Sequence, residues 1–239
     1  MILKIKKEID SYYNKERSVH SQRFFKTGKG EYGEGDVFLG LSVPLQRSIA
    51  KKYYKEIDLG NLTSLDILIK SKIHEHRQVA LFLLVYNFEK VSYVGQKKIF
   101  DYYVKNIKYV NNWDLVDLSA PNIVGRYLYD NHSKKKFLYD WVKSDLLFVR
   151  RISIISTFYF IKKDSFSEAL KISKLLLKDR EDLIHKAVGW MLREIGKRDL
   201  KVEIDFLDRY YKKMPRTMLR YAIEKFPEKK RQEYLKGLI

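Results

Sequence analysis

Residues 148–161 read Phe-Val-Arg-Arg-Ile-Ser-Ile-Ile-Ser-Thr-Phe-Tyr-Phe-Ile. The apolar side chains at Ile152, Ile154, Ile155, Phe158 and Phe160 do not alternate in two-residue steps, and the run is too long for a single strand. They make a wide stripe of helical period, suited to burial on more than one side. The same pattern recurs outward in both directions. Upstream, Glu75 to Phe88 carries Val79, Leu81, Phe82, Leu83, Val85 and Tyr86, and Asp101 to Val110 carries Tyr102, Val104 and Ile107. Downstream, Leu183 to Ile195 carries Ala187, Val188, Trp190, Met191 and Ile195. No Asn-Gly or Asp-Gly hairpin signal interrupts them, so the fold class is all-α.

The helices are predicted to come in pairs, with the period read from the first helices. Their starts fall near His74, Asn112, Leu146, Asp182 and Pro215, spaced 38, 34, 36 and 33 residues apart. A two-helix period in the thirties points to an α-solenoid of HEAT or armadillo type, with a compact bundle as the alternative. With no evident linker, residues 1–239 are expected to form a single domain. Residues 1–60 would be an N-terminal helical cap and 61–239 the helical pairs. The exception to helix is Gly28 to Gly40, a loop that delivers the chain into a helix near Val43 with Pro44 in its first turn.

Composition narrows the function. The 239 residues carry 48 Lys and Arg against 30 Asp and Glu, a net charge of +18. The excess lies between +2 and +5 in each successive block of the chain, so it describes a basic surface rather than a basic tail. A polyanion is the natural partner, and nucleic acid the commonest one. There is no cysteine, which excludes disulfides and thiolate-held metals. Neither a signal peptide nor an apolar membrane span is visible, so a cytoplasmic protein is expected.

Two motifs suggest cofactors and are set aside. Gly28-Lys-Gly30-Glu-Tyr-Gly33 matches a dinucleotide fingerprint, but no strand precedes it, and Glu31, Glu34 and Asp36 would repel a pyrophosphate. His74 and His76 are two apart on a helix and cannot share one ion. No cofactor and no metal are expected.

Asn111-Asn-Trp-Asp-Leu-Val-Asp117 offers an N-cap before Trp113. Trp113 and Asp117, four apart, share a face, and Pro121 bends or restarts the helix just after. Counted from the helix starts, Asp117 and Arg151 are both five residues in, and Trp190 is eight. In a solenoid, equivalent positions on successive first helices line one concave face. An acid, a base and two indoles can therefore converge. The alternative is ordinary: core indoles and a carboxylate that complements a helix N-terminus.

NNWDLVD, FVRRISI and DLIHKAVGWMLREIGKRD together resemble the AlkD-type alkylpurine DNA glycosylases. GDVFLGLSVPLQRSIAKKYY and MPRTMLRYAIEKF extend the resemblance from about Arg23 to Pro227. It implies a right-handed superhelix of HEAT-like repeats with a basic concave face. It also implies hydrolysis of the N-glycosidic bond of cationic lesions such as 3-methyladenine and 7-methylguanine in duplex DNA, without flipping the base. It makes Asp117 the catalytic carboxylate, places Trp113 and Trp190 against the lesion's backbone and deoxyribose, and sets Arg151 near the lesion, ambiguous by one residue with Arg150. Arg150, Lys186, Arg193 and Arg47 are expected to hold DNA. A monomer is expected. Two other readings remain open from the residues: a non-catalytic DNA-binding protein of the same fold, and a helical scaffold for an acidic protein.

Overall fold

The computed structural model describes all residues, 1–239, as helices joined by turns and short 3₁₀ segments. Two compact units divide it, residues 1–123 and 124–239. The first contains α1 (Ile2–Ser11), α2 (Lys15–Phe24), α3 (Val43–Tyr53), α4 (Asp66–Ile69), α5 (His74–Phe88), α6 (Tyr93–Lys105) and α7 (Trp113–Ser119). The second contains α8 (Arg126–Asp130), α9 (Lys136–Trp141), α10 (Leu147–Ile161), α11 (Ser167–Leu175), α12 (Asp182–Gly196), α13 (Leu200–Tyr210), α14 (Arg216–Ala222) and α15 (Glu228–Lys236). No helix is long and apolar enough to cross a membrane.

The five expected helix starts are those of α5, α7, α10, α12 and α14, each within a residue. The reasons are local. Asn112 accepts the Trp113 N–H at 2.8 Å and caps α7. Leu146 is extended ahead of α10, and Pro215 is extended ahead of α14, where its missing N–H costs nothing. Pro44 stands in the first turn of α3, as read from the sequence.

Each unit is organised about one helix buried nearly all round. In the first it is α5, where α1, α3, α4, α6 and α7 cover every residue but Tyr86. In the second it is α10, which packs against α8, α9, α11 and α12. Such burial explains why neither stripe has a polar face. At about 25 cal/mol per Å² of apolar surface, each fully buried Ile or Leu contributes ~1.5–3 kcal/mol. Close approach needs glycine at two places. A Cβ on Gly125 would lie 2.2 Å from the Ser156 carbonyl of α10, and one on Gly189 would lie 2.4 Å from the Met218 carbonyl of α14.

Two details enrich the sequence reading. Pro121 does not end α7; the chain widens into a π-helix over Ala120–Gly125 and resumes as α8. The Asn122 side chain bonds back to the Leu118 carbonyl at 2.7 Å across that turn. Proline lacks the N–H an α turn needs, and the π turn falls at that position. The 28–40 loop is also more constrained than its glycines suggest. Val37 pairs with Ile73 in an isolated parallel bridge, and the Glu75 carboxylate accepts the N–H groups of Leu39, Gly40 and Leu41 at 2.9, 2.7 and 3.2 Å.

Candidate functional site

Trp113 and Asp117 lie one turn apart on α7, both half-buried. The Trp113 indole stacks on Phe25 with ring centres 5.3 Å apart and planes 23° off parallel. Phe24 meets the same indole edge-on at 6.0 Å and is itself 58% exposed. These two phenylalanines end α2, and the sequence reading did not single them out. The available signal was an adjacent aromatic pair at a helix terminus, followed at once by Lys26 in a left-handed conformation and the glycine loop.

Beneath this aromatic surface is a buried polar cluster. Nε2 of His74 is 2.8 Å from Asp114 Oδ2, and its Nδ1 is 3.2 Å from Asp36 Oδ2. Arg77 donates to Asp36 Oδ1 at 2.6 Å, and Asn112 donates to Asp36 Oδ2 at 3.2 Å. Gln78 donates to Asp114 at 2.8 Å. Burial opposes charge on His74, but Asp114 and Asp36 outweigh it and raise its pKa to about 9. Burial likewise opposes charge on Asp36, yet His74 and Arg77 hold its pKa below the usual carboxylate range. The His74-Glu-His76 triplet thus diverges. His74 serves α7, Glu75 serves the loop, and His76 reaches Asp10 on α1 at 2.8 Å.

In the second unit the named residues sit on α10 and α12. Arg151 is buried, 4% exposed, and donates to the Leu183 carbonyl of α12. Arg150 instead forms an ion pair with Asp179 at 2.7 Å and also donates to the carbonyls of Ser144 and Asp145. Trp190 is half-buried, lies 5.4 Å from Phe158 of α10, and donates its indole N–H to Glu194 at 3.1 Å. Of the cations expected to hold DNA, Lys186 pairs with Asp182 at 2.8 Å and Arg193 pairs with Glu224. Arg47, in the first unit, is exposed, with its guanidinium over the Phe82 ring at 5.4 Å.

The model of the family described as DNA alkylation repair enzyme matches residues 5–226. The chain belongs to that family. DNA alkylation repair enzymes act on alkylation-damaged DNA, so DNA is the substrate on which the basic composition bears. The AlkD-type resemblance carried by NNWDLVD and its companions agrees with this membership and with the solved structures of similar fold. A predicted DNA alkylation repair enzyme from Enterococcus faecalis superposes with a TM-score of 0.72 at 17% identity, covering 90% of this chain and 97% of that one. AlkD2 from Streptococcus mutans gives 0.58 at 19%, covering 89% and 98%. The smu.31 protein of Streptococcus mutans UA159 gives 0.57 at 20%, covering 88% and 98%. At such identities the likeness is one of fold, and it supports the all-α helical-repeat class. No curated protein sequence matches the chain.

Proposed function

We propose that this DNA alkylation repair enzyme is a monofunctional glycosylase that hydrolyses the N-glycosidic bond of cationic alkylated purines in duplex DNA. The observation that carries the reading is the pairing of Trp113 and Asp117 on one turn of α7, half-exposed beside the open ring of Phe24. A ring-alkylated purine already bears positive charge, so it departs without a general acid. The sugar left behind develops oxocarbenium character and is attacked by water. One carboxylate, Asp117, stabilises the cation, orients the water and takes up the proton that the water loses as its oxygen bonds to the sugar. The electron-rich indole faces of Trp113 and Trp190 favour the same developing charge.

In this reading Arg151 and Trp190 serve the lesion that Trp113 and Asp117 serve, and the base stays out of any pocket. The protein works as one cytoplasmic, monomeric DNA-binding domain, without a cofactor. Exposed Lys and Arg such as Arg47 hold phosphates, so log affinity for duplex should fall linearly with log salt. Incubation with a duplex containing 7-methylguanine, scored for released base, tests the reaction directly. Salt-dependent duplex binding with no base released would favour a non-catalytic DNA-binding role. Absence of duplex binding would favour a protein scaffold.

A further inference from the structure

α7 continues through the π-helix into α8, so its C-terminal end is carried by the chain, and its first turn is where side-chain contacts set its direction. The aim of Trp113 and Asp117 is therefore set by whatever grips the first turn of α7. Three sets of contacts do so, and His74 takes part in each. The first is direct: His74 Nε2 and Gln78 Nε2 both meet Asp114 Oδ2 at 2.8 Å, while Asp114 Oδ1 accepts the Leu115 N–H at 2.9 Å. The second runs through the loop. His74 Nδ1 meets Asp36 Oδ2, the oxygen that also accepts from Asn112, and Asn112 in turn caps the Trp113 N–H. The third is aromatic: the His74 ring lies 4.5 Å from Phe38 and 5.1 Å from Phe25, and Phe25 stacks on Trp113.

A neutral imidazole can donate from one nitrogen only, whereas an imidazolium donates from both. Both ring nitrogens here face carboxylates, so the geometry itself calls for the cation. We propose that His74 is the positioning residue of the site: its imidazolium, bridging Asp36 and Asp114, fixes the rotation of α7 and so aims Trp113 and Asp117. The inference deepens the glycosylase reading and rests on it for the role of those two residues. The charged groups facing the ring are Asp36 from the loop, Asp114 from α7 and Arg77 from α5. Phe25 and Phe38 complete its surroundings without charge. With its pKa raised to about 9, the cation persists through neutral pH and is lost in the alkaline range.

Two measurements on the full chain test this. In the first, Trp141→Phe and Trp190→Phe leave Trp113 as the sole indole, and its emission is followed from pH 7 to 10. A transition near pH 9 is expected, and it should vanish when His74→Gln is added. The second is single-turnover release of 7-methylguanine, expressed per folded molecule. His74→Gln should slow release about 10- to 100-fold, because small misplacements of reacting groups cost that much, while duplex Kd stays the same. Asp114→Asn should reproduce the loss, and the double variant should be no slower than either single one, since both break the same link. Asp114→Asn alone also carries the test should the His74→Gln variant fail to fold. Identical emission titrations with and without His74, or release at the wild-type rate from both single variants, overturn the inference. A wild-type protein that releases no base refutes the glycosylase reading instead, and the emission titration alone then decides whether His74 holds α7.

Discussion

Glu203 on α13 is only 2% exposed, and one of its carboxyl oxygens has no hydrogen-bond partner. Its other oxygen lies so close to Gly196 of α12 that a Cβ there would collide with it. Burial raises its pKa from 4.5 to about 8, and Arg193 offsets only part of that rise. The folded protein therefore keeps the acid neutral at pH values where the unfolded chain has released the proton. Between pH 4.5 and 8 the native state binds one more proton than the unfolded state, so stability falls as pH rises, at about 1.4 kcal/mol per unit. From pH 5 to 8 that amounts to about 4 kcal/mol as an upper bound, large against the 5–15 kcal/mol typical of a folded domain. Above pH 8 both states are ionised and the contribution is flat. Glu203→Gln removes the titration while keeping the shape. Urea unfolding of both proteins at pH 5, 6, 7, 8 and 9 isolates this group, because His74 and the other titrations cancel in the difference. The Gln variant should gain on the wild type steadily between pH 5 and 8, then run parallel to it. Curves parallel throughout would refute the reasoning, since they would mean that Glu203 ionises in the folded state as it does in water.

Asp117→Asn is nearly isosteric, so folding should survive, while excision slows by on the order of 10²–10³ with duplex binding held or slightly tightened; wild-type excision would remove Asp117 from the mechanism. For Arg151 to hold a phosphate its guanidinium must leave the Leu183 carbonyl when duplex binds, and Arg151→Ala should then weaken duplex binding and lower the salt slope by about one. Arg150→Ala should change that slope less but cost melting temperature, because Asp179, whose side chain is 6% exposed, loses its partner; equal slopes for both variants would undo this assignment. Gly189→Ala should destabilise the second unit by roughly 1–3 kcal/mol, read by urea unfolding, because its Cβ would meet the Met218 carbonyl and Tyr221 of α14; an unchanged midpoint would show that α12 and α14 separate freely.

What the sequence determined by itself is the all-helical class and where the first members of the pairs begin. Those starts depend on groups within about four residues of each other: Asn112 capping Trp113, prolines placed where no N–H is needed, and apolar positions repeating every three to four residues. The family is legible for the same reason, because its motifs are short local strings. Tertiary structure alone decided which side chains surround the site. Phe25 reaches Trp113 across the glycine loop, and Asp36 reaches His74 and Asn112 over sequence separations of 38 and 76 residues. No local pattern encodes such pairings. His74 and Arg77 look like solvated residues at a helix start until burial removes the water and leaves carboxylates as their partners. Arg150 and Arg151 are neighbours in the chain, yet a helix turns about 100° per residue, so one meets Asp179 and the other the Leu183 carbonyl. Glu203 is the same lesson in reverse: in sequence a surface acid, in the fold a neutral one, because α12 packs over it and water is gone.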